Sequence, residues 1–326
     1  MKRLKIAYFG SPDFSAWFLE KLLNDKTIPV EVALVVTQKD KPAGRKRVLT
    51  PTPVKQVAQK YKLPVFAQEQ QEMEAQLAKC DLALLLFYGK IIPKKLLTLP
   101  KNGFWNIHFS ALPKYRGGYP FVYSLMMGDK NATVSIFKMD ERLDHGPILL
   151  QQDVSIDPSD RRIDLERKCT ATSYQLFKKT VLDLQDGTIS YKEQDHTKAT
   201  YTKLLKKDDG FIAYSYLKKA AEGKPLTFDE LPNGLRSYLE KNNIPKQKYD
   251  NKTILNVFRG LHPTPGLWTL LRLKASEGQA KIVEKRLKIT DMDLINKKIV
   301  IKKVQLEGKN EVDYKTFIRA YKIDTK

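Results

Sequence analysis

The sequence predicts an α/β protein: a mostly parallel sheet covered by helices on both faces, then a small C-terminal β-barrel. Three observations predict it. Continuous apolar runs such as "LKIAYF" (4–9), "EVALVVT" (31–37) and "DLALLLF" (81–87) alternate with amphipathic stretches through the first half, the pattern of strands buried on both faces. After "HPTPG" (262–266) that rhythm gives way to short apolar stretches separated by turns. The length, 326 residues with 42% hydrophobic content, allows a large core and favours two domains over one.

The elements follow in order. The first strand, 4–9, ends at Gly10. Ser11 and Pro12 suit the cap and first turn of a helix whose Phe14, Phe18, Leu19 and Leu22 share one face. Residues 31–37 form the second strand. A basic segment follows, then "PVKQVAQKY" as a helix, "LPVF" as a short strand and "EMEAQLAK" as a helix. Strands at 81–87 and 104–108 ("FWNIH") come next. "ATVSIFKMD" and "ILLQQDVSI" are placed before a long amphipathic helix over about 159–184. Residues 1–188 thus form a Rossmann-like domain, and the polar residues 189–209 read as a linker. The second domain spans 210–326. Its segment 215–255 is atypical, lysine-rich and interrupted by "EGKP", "LPNG" and "NNIPK". From about 262, "LWTLLRLKA", "KIVEKRLKIT", "KKIVIKKVQLEG" and "VDYKTFIRAY" read as the strands of an OB-like barrel.

Composition excludes several classes. The longest apolar runs fall far short of the roughly 18 residues a membrane span needs. The N-terminus becomes a strand at once and carries no signal-peptide pattern. Two cysteines, Cys80 and Cys169, make no disulfide framework. They read as reduced thiols in a cytoplasmic protein, too few for a thiolate zinc site. The net charge of +21 points either to a polyanionic partner or to a lysine-rich genome composition. Residues 1–200 carry 31 basic against 22 acidic side chains, and residues 201–326 carry 27 against 15. The basic excess is therefore denser toward the C-terminus.

Few residues carry chemistry. "YFGSPDF" lies where a dinucleotide loop would lie, but one glycine and a proline do not make G-x-G-x-x-G. His262, between prolines, has no metal partner at ligand spacing and reads as structural. The stretch "WNIHFSALPKYRGG" (105–118) differs. Asn106 and His108 sit two apart on a strand, so both project to one face near its C-terminal end, where ligands bind in parallel α/β sheets. An amide beside an imidazole can stabilise an oxyanion or move a proton. Equally, the two could be satisfied polar groups at a strand end. A second polar cluster, "KMDERLDHGPIL" (138–149), carries Asp140, Asp144 and His145. A loop carboxylate there can orient and charge a histidine.

Together, "NIHFSALPKYRGG" and "MDERLDHGPIL" resemble the folate-dependent formyltransferases, which use 10-formyltetrahydrofolate as formyl donor. The shared pattern is N-x-H, then S-x-L-P-x-[YW]-R-G, then an Asp in M-D-x-x-x-D-x-G. The resemblance implies a catalytic triad of Asn106, His108 and Asp144. It seats the pteridine near Phe87, Tyr88 and Gly89 and the 139–144 backbone, including Met139 and Asp140. Ser110, Ala111, Leu112 and Pro113 would shape the same wall, and no metal is implied. "FGSPDFSAWFLEKLL", "VVTQKDKPAGRKRVLTPTPVKQVAQKYKLPVFAQE" and "LLLFYGKIIPKKLLTLPKNGFWNIH" resemble the branch that formylates initiator methionyl-tRNA. There a basic loop enters the acceptor-stem end. Residues 39–55 hold six Lys or Arg and one Asp, so Lys41, Arg45, Lys46 and Arg47 become candidate tRNA contacts. Two departures stand out. The segment between Tyr214 and Phe258 is longer than the family pattern, and Arg142 and His145 stand where a smaller, glycine-containing loop is usual, with His145 directed to solvent.

The expected partners are initiator methionyl-tRNA and the folate, without a membrane, for a chain acting as a monomer. A sugar-nucleotide or other small-amine formyltransferase is one rival reading; it needs neither the basic loop nor a basic barrel. A non-catalytic nucleic-acid-binding protein is another; it leaves Asn106, His108 and Asp144 without a role.

Overall fold

The computed structural model describes residues 3–43, 48–67, 71–274, 282–321 and 323. In chain order the elements are β1 (Leu4–Gly10), α1 (Asp13–Asn24), β2 (Val30–Val36), β3 (Lys41–Ala43), β4 (Val48–Thr50), α2 (Pro53–Lys60), β5 (Val65–Phe66), α3 (Gln71–Leu77), β6 (Leu82–Leu86), α4 (Lys94–Leu97), β7 (Phe104–His108), α5 (Pro120–Met127), β8 (Asn131–Lys138), β9 (Ile148–Ser155) and α6 (Arg162–Gln185). Then come α7 (Tyr214–Ala221), α8 (Asn233–Lys241), α9 (Asn251–Leu261), β10 (Leu267–Lys274), β11 (Ile282–Ile295), β12 (Lys298–Leu306), β13 (Glu311–Asp313) and α10 (Tyr314–Tyr321). The chain forms two compact units. One comprises residues 1–116, 132–155 and 166–199, the other residues 117–131, 156–165 and 200–326.

In the first unit, seven strands run in the order β5-β2-β1-β6-β7-β8-β9. The pairs from β5 to β7 are parallel, and β8 adds antiparallel to β7. The order reverses between β1 and β6, which opens a crevice at the strands' C-terminal ends. β6 and β7 are buried along their whole length, as their unbroken apolar composition requires. Alternation along β1 sends Tyr8 to one face, where its ring stacks on Phe18 at 6.1 Å and Phe18 meets Tyr174 at 5.3 Å. Phe9 goes to the other face, 5.1 Å from Phe104 and 5.5 Å from Tyr88, among Leu34, Val36 and Leu77. Truncating a ring such as Phe18 to Ala costs about 3–5 kcal/mol. At the first helix, Pro12 rather than Ser11 occupies the cap position. The Ser11 hydroxyl instead donates to the Tyr88 carbonyl at 3.2 Å, tying the loops after β1 and β6 together.

The second unit holds α5 against α9. A Cβ on Gly260 would lie 3.0 Å from the Val122 carbonyl, tighter than an ordinary contact, so the glycine lets the two helices approach closely. Arg259, buried, donates to the carbonyls of Asp157 and Asp160 at 2.6 and 2.7 Å, and desolvation lowers its pKa. The atypical 215–255 segment is helical: its breakers mark the ends of α7 and α8. Leu226 and Tyr249 exchange backbone hydrogen bonds at 2.9 and 2.8 Å across the base of that excursion. β10 to β13 form a four-stranded antiparallel sheet in sequence order. "VDYKTFIRAY", read above as a strand, is mostly helix. Asp313 accepts from the backbone N–H groups of Lys315 and Thr316 at 2.9 and 3.2 Å, a helix cap. Phe317 and Tyr321 then pack one turn apart at 4.7 Å.

Candidate active site

β7 sets the first two residues. Asn106 pairs with Phe137 and His108 with Ser135 across the antiparallel edge, so their side chains share one face. Both are buried, at 7% and 5% exposure. The Asn106 amide donates to Asp144 Oδ1 at 3.4 Å, and Asp144 Oδ2 lies 3.8 Å from His108 Nδ1. The structure therefore brings Asn106, His108 and Asp144 together from positions 38 residues apart. His108 Nε2 lies 3.0 Å from the Tyr115 carbonyl. A carbonyl only accepts, so Nε2 donates there and Nδ1 is the nitrogen that faces the carboxylate.

Asp144 sits in the left-handed region at φ 46°, a conformation Asp tolerates better than most residues. The turn beside it admits no Cβ at Gly146, which would lie 1.9 Å from the Lys138 carbonyl. Asp140 Oδ1 accepts from the Arg142 backbone N–H at 2.9 Å, and Asp140 Oδ2 lies 2.6 Å from His145 Nδ1. His145 does not simply point into solvent: its ring stacks on His196 at 3.8 Å with planes 9° apart. Desolvation, aided by His145 and Arg116, holds the His196 pKa below the usual imidazole value.

The candidate folate residues divide. Phe87 and Gly89 both take positive φ, 53° and 77°, turning the chain sharply where β6 ends. The Phe87 ring packs on Phe14 and Phe109. The Tyr88 carbonyl accepts from Gln38 Nε2 at 2.8 Å. Met139 packs on the Leu112, Phe137 and Ile148 cluster. Ser110 is fully buried, its hydroxyl donating to the Lys114 carbonyl at 2.7 Å. It shapes the turn, whereas Ala111 next to it is exposed and Pro113 half-buried. A cavity of about 180 Å³ opens at the C-terminal ends of β1, β2 and β6, lined by Phe9, Val36, Tyr88, Lys90, Ile92 and Leu96. Lys90 and Ile92, beyond the Gly89 limit of the sequence expectation, follow that turn directly and line the cavity as well. A larger groove of about 520 Å³ runs along α1 beside Trp17 and Lys21, away from the strand ends.

Of the basic segment, Lys41 donates to Gln38 Oε1 at 2.5 Å and Lys55 pairs with Asp40 at 2.8 Å. Lys41 and Thr50 begin and end a short hairpin, β3 against β4, that sequence reading missed. Arg45, Lys46 and Arg47 lie outside the described residues. Among the described residues no cluster of His, Cys, Asp or Glu could hold a metal, and no helix is long and apolar enough to cross a membrane.

Residues 3–181 match the formyl transferase family. The chain belongs to that family. Relatives of similar sequence include a methionyl-tRNA formyltransferase of Thermotoga maritima, 38% identical over 241 residues that cover 72% of this chain and 76% of the relative. One of Staphylococcus aureus is 39% identical over 217 residues, covering 65% of this chain and 68% of the relative. Among solved structures, a 4-N formyltransferase from Francisella tularensis superposes with a TM-score of 0.57 at 17% identity, over 86% of this chain and 96% of the other. An N-formyltransferase from Helicobacter canadensis, solved with folinic acid and dTDP-3-aminofucose, gives 0.54 at 18% identity, over 88% and 95%. At those identities the two structures speak for the fold alone.

Proposed function

We propose that this chain transfers the formyl group of 10-formyltetrahydrofolate to the α-amino group of initiator methionyl-tRNA. The observation that carries the chemistry is the convergence of Asn106, His108 and Asp144 at the end of a buried strand. The neutral amine attacks the formyl carbon, a C–N bond forms, and the carbonyl oxygen takes up charge. The Asn106 amide, and His108 through Nδ1 when that nitrogen carries a proton, stabilise that oxyanion. Asp144 faces His108 Nδ1, orients the ring and helps move the amine's proton through water. The bond to the folate nitrogen then breaks and that nitrogen is reprotonated.

The cavity lined by Phe9, Val36 and Tyr88 suits a flat heterocycle that needs backbone partners, and the family resemblance adds Phe87, Gly89, Met139, Asp140, Ala111, Leu112 and Pro113 as residues to hold the folate. Residues 1–188 would carry the chemistry. Residues 210–326, with 189–209 as connection, and the basic loop through Lys41, Arg45, Lys46 and Arg47 would hold the tRNA by salt-sensitive phosphate contacts. The names of the 38–39% identical relatives favour methionyl-tRNA over an amino-sugar acceptor. The deciding assay supplies 10-formyltetrahydrofolate with methionyl-initiator tRNA, elongator methionyl-tRNA or a nucleotide-linked amino sugar. Formylation confined to the initiator tRNA is expected. Preference for the amino sugar would overturn the reading.

A further inference from the structure

We infer that Gln194 is a positioning residue of this active site, the clasp that sets Asp144 against His108; the inference rests on the formyl-transfer reading above. Gln194 lies 50 residues beyond Asp144 in sequence, in the polar stretch read from sequence as linker. It is nevertheless only 6% exposed, and both ends of its amide are engaged. Nε2 donates to the backbone carbonyls of Asp144 at 3.0 Å and Gly146 at 2.7 Å. Oε1 accepts from Arg116 Nη2 at 2.6 Å.

Arg116, 2% exposed, directly follows Tyr115, whose carbonyl receives His108 Nε2. The contacts thus close a ring around the imidazole. One side runs from Nε2 through Tyr115 and Arg116 to the Gln194 oxygen. The other runs from the Gln194 NH₂ through the Asp144 backbone to its carboxylate, opposite Nδ1. The two groups that flank the imidazole are therefore fixed relative to each other by one side chain. A primary amide alone suits the place: it must accept from a guanidinium and serve two carbonyls at once. The charged and titratable groups around the clasp include Arg116, His196 (2.8 Å from Arg116 Nη2), His145 stacked on His196, Asp140 against His145, Arg142, and Glu193, whose charge acts on His196.

The test is Gln194→Glu, which keeps a partner for Arg116 but offers no donor to the two carbonyls. Turnover with methionyl-initiator tRNA is measured across pH, with KM for both substrates, thermal midpoint, and His108→Ala as control. The expected result is a kcat lower by about 10- to 100-fold, the scale of a displaced catalytic group. KM values should stay within about twofold and the pH profile of kcat should be displaced, because Asp144 no longer sits in register with the imidazole. A wild-type kcat and pH profile overturns the inference, provided His108→Ala has lost turnover. A lowered midpoint with unchanged kcat per folded molecule and unchanged profile also overturns it, since Gln194 would then be merely structural. Should Glu prevent folding, Gln194→Met, neutral and of similar length, is read by the same outcomes. An active His108→Ala enzyme would instead remove the formyl-transfer reading itself.

Discussion

β7 and the loop after β8 bring their chemistry to within a few ångströms of each other by opposite means. On β7, Asn106 and His108 are placed by strand pairing and by burial of every residue of the strand. The loop has no such frame. Glu141, Arg142 and Leu143 are exposed, Asp144 is in a left-handed conformation, and the turn is held from outside by Gln194 and by the close seat of Gly146. A catalytic residue on a strand is positioned by its neighbours in sequence. One on a loop is positioned by residues far away, and its precision is only as good as those distant contacts.

The comparison breaks first at the strand. Asn106→Ala and His108→Ala should each lower kcat by about 10²–10³ or more with the circular dichroism spectrum and melting temperature near wild type. Near-normal turnover in either would mean the strand pair is only a satisfied polar couple. The loop side is sharpened by pairing Gly146→Ala with Ile107→Val. The Gly146 Cβ would lie 1.9 Å from the Lys138 carbonyl, so the turn must shift, at a cost of about 1–3 kcal/mol, and kcat should fall roughly tenfold or more as Asp144 moves with it. Ile107 is buried on the reverse face of β7. Its shortening should cost about 0.5–1.5 kcal/mol and leave kcat unchanged, because the strand ladder keeps Asn106 and His108 in place. Equal effects of the two variants on kcat would erase the distinction between the regions.

The same difference decides what was legible in the sequence. Period-two alternation put Asn106 and His108 on one face, and the unbroken apolar runs marked β1, β2 and β6, because strand geometry is a local property. The proximity of Asp144 came from the family pattern, since no local rule carries a loop residue across 38 positions. Gln194 was invisible: a glutamine in a polar stretch reads as solvated until the fold buries it. The 215–255 segment was obscured by its breakers, which interrupt the helical period although α7 and α8 fit between them, burying Leu217, Leu235 and Leu239. "VDYKTFIRAY" misled in the reverse way. Its Val, Tyr, Phe and Ile are strand-favouring residues, but the Asp313 cap and the one-turn pairing of Phe317 with Tyr321 settle it as a helix.

The smallest expected effect concerns the loop's outer support, the stacked pair of His145 and His196. Two protonated rings at that distance repel each other, and Arg116 and Arg142 add to the repulsion on His196. Desolvation is the larger cause of its lowered pKa, so the folded protein favours the neutral ring while the unfolded chain takes up a proton near the ordinary imidazole value. The stability this ring contributes is complete above that value and is lost as pH falls from it toward the folded pKa. His262 is also held low by burial and adds the same slope to every variant, so the informative quantity is a difference. Melting temperatures at about pH 7.5 and pH 5.5 should fall further apart in the wild type than in His196→Gln, which keeps a polar side chain but does not titrate. Parallel slopes would show that the stack carries no pH-dependent energy, and the support of the Asp144 loop would then rest on Gln194 and Gly146 without it.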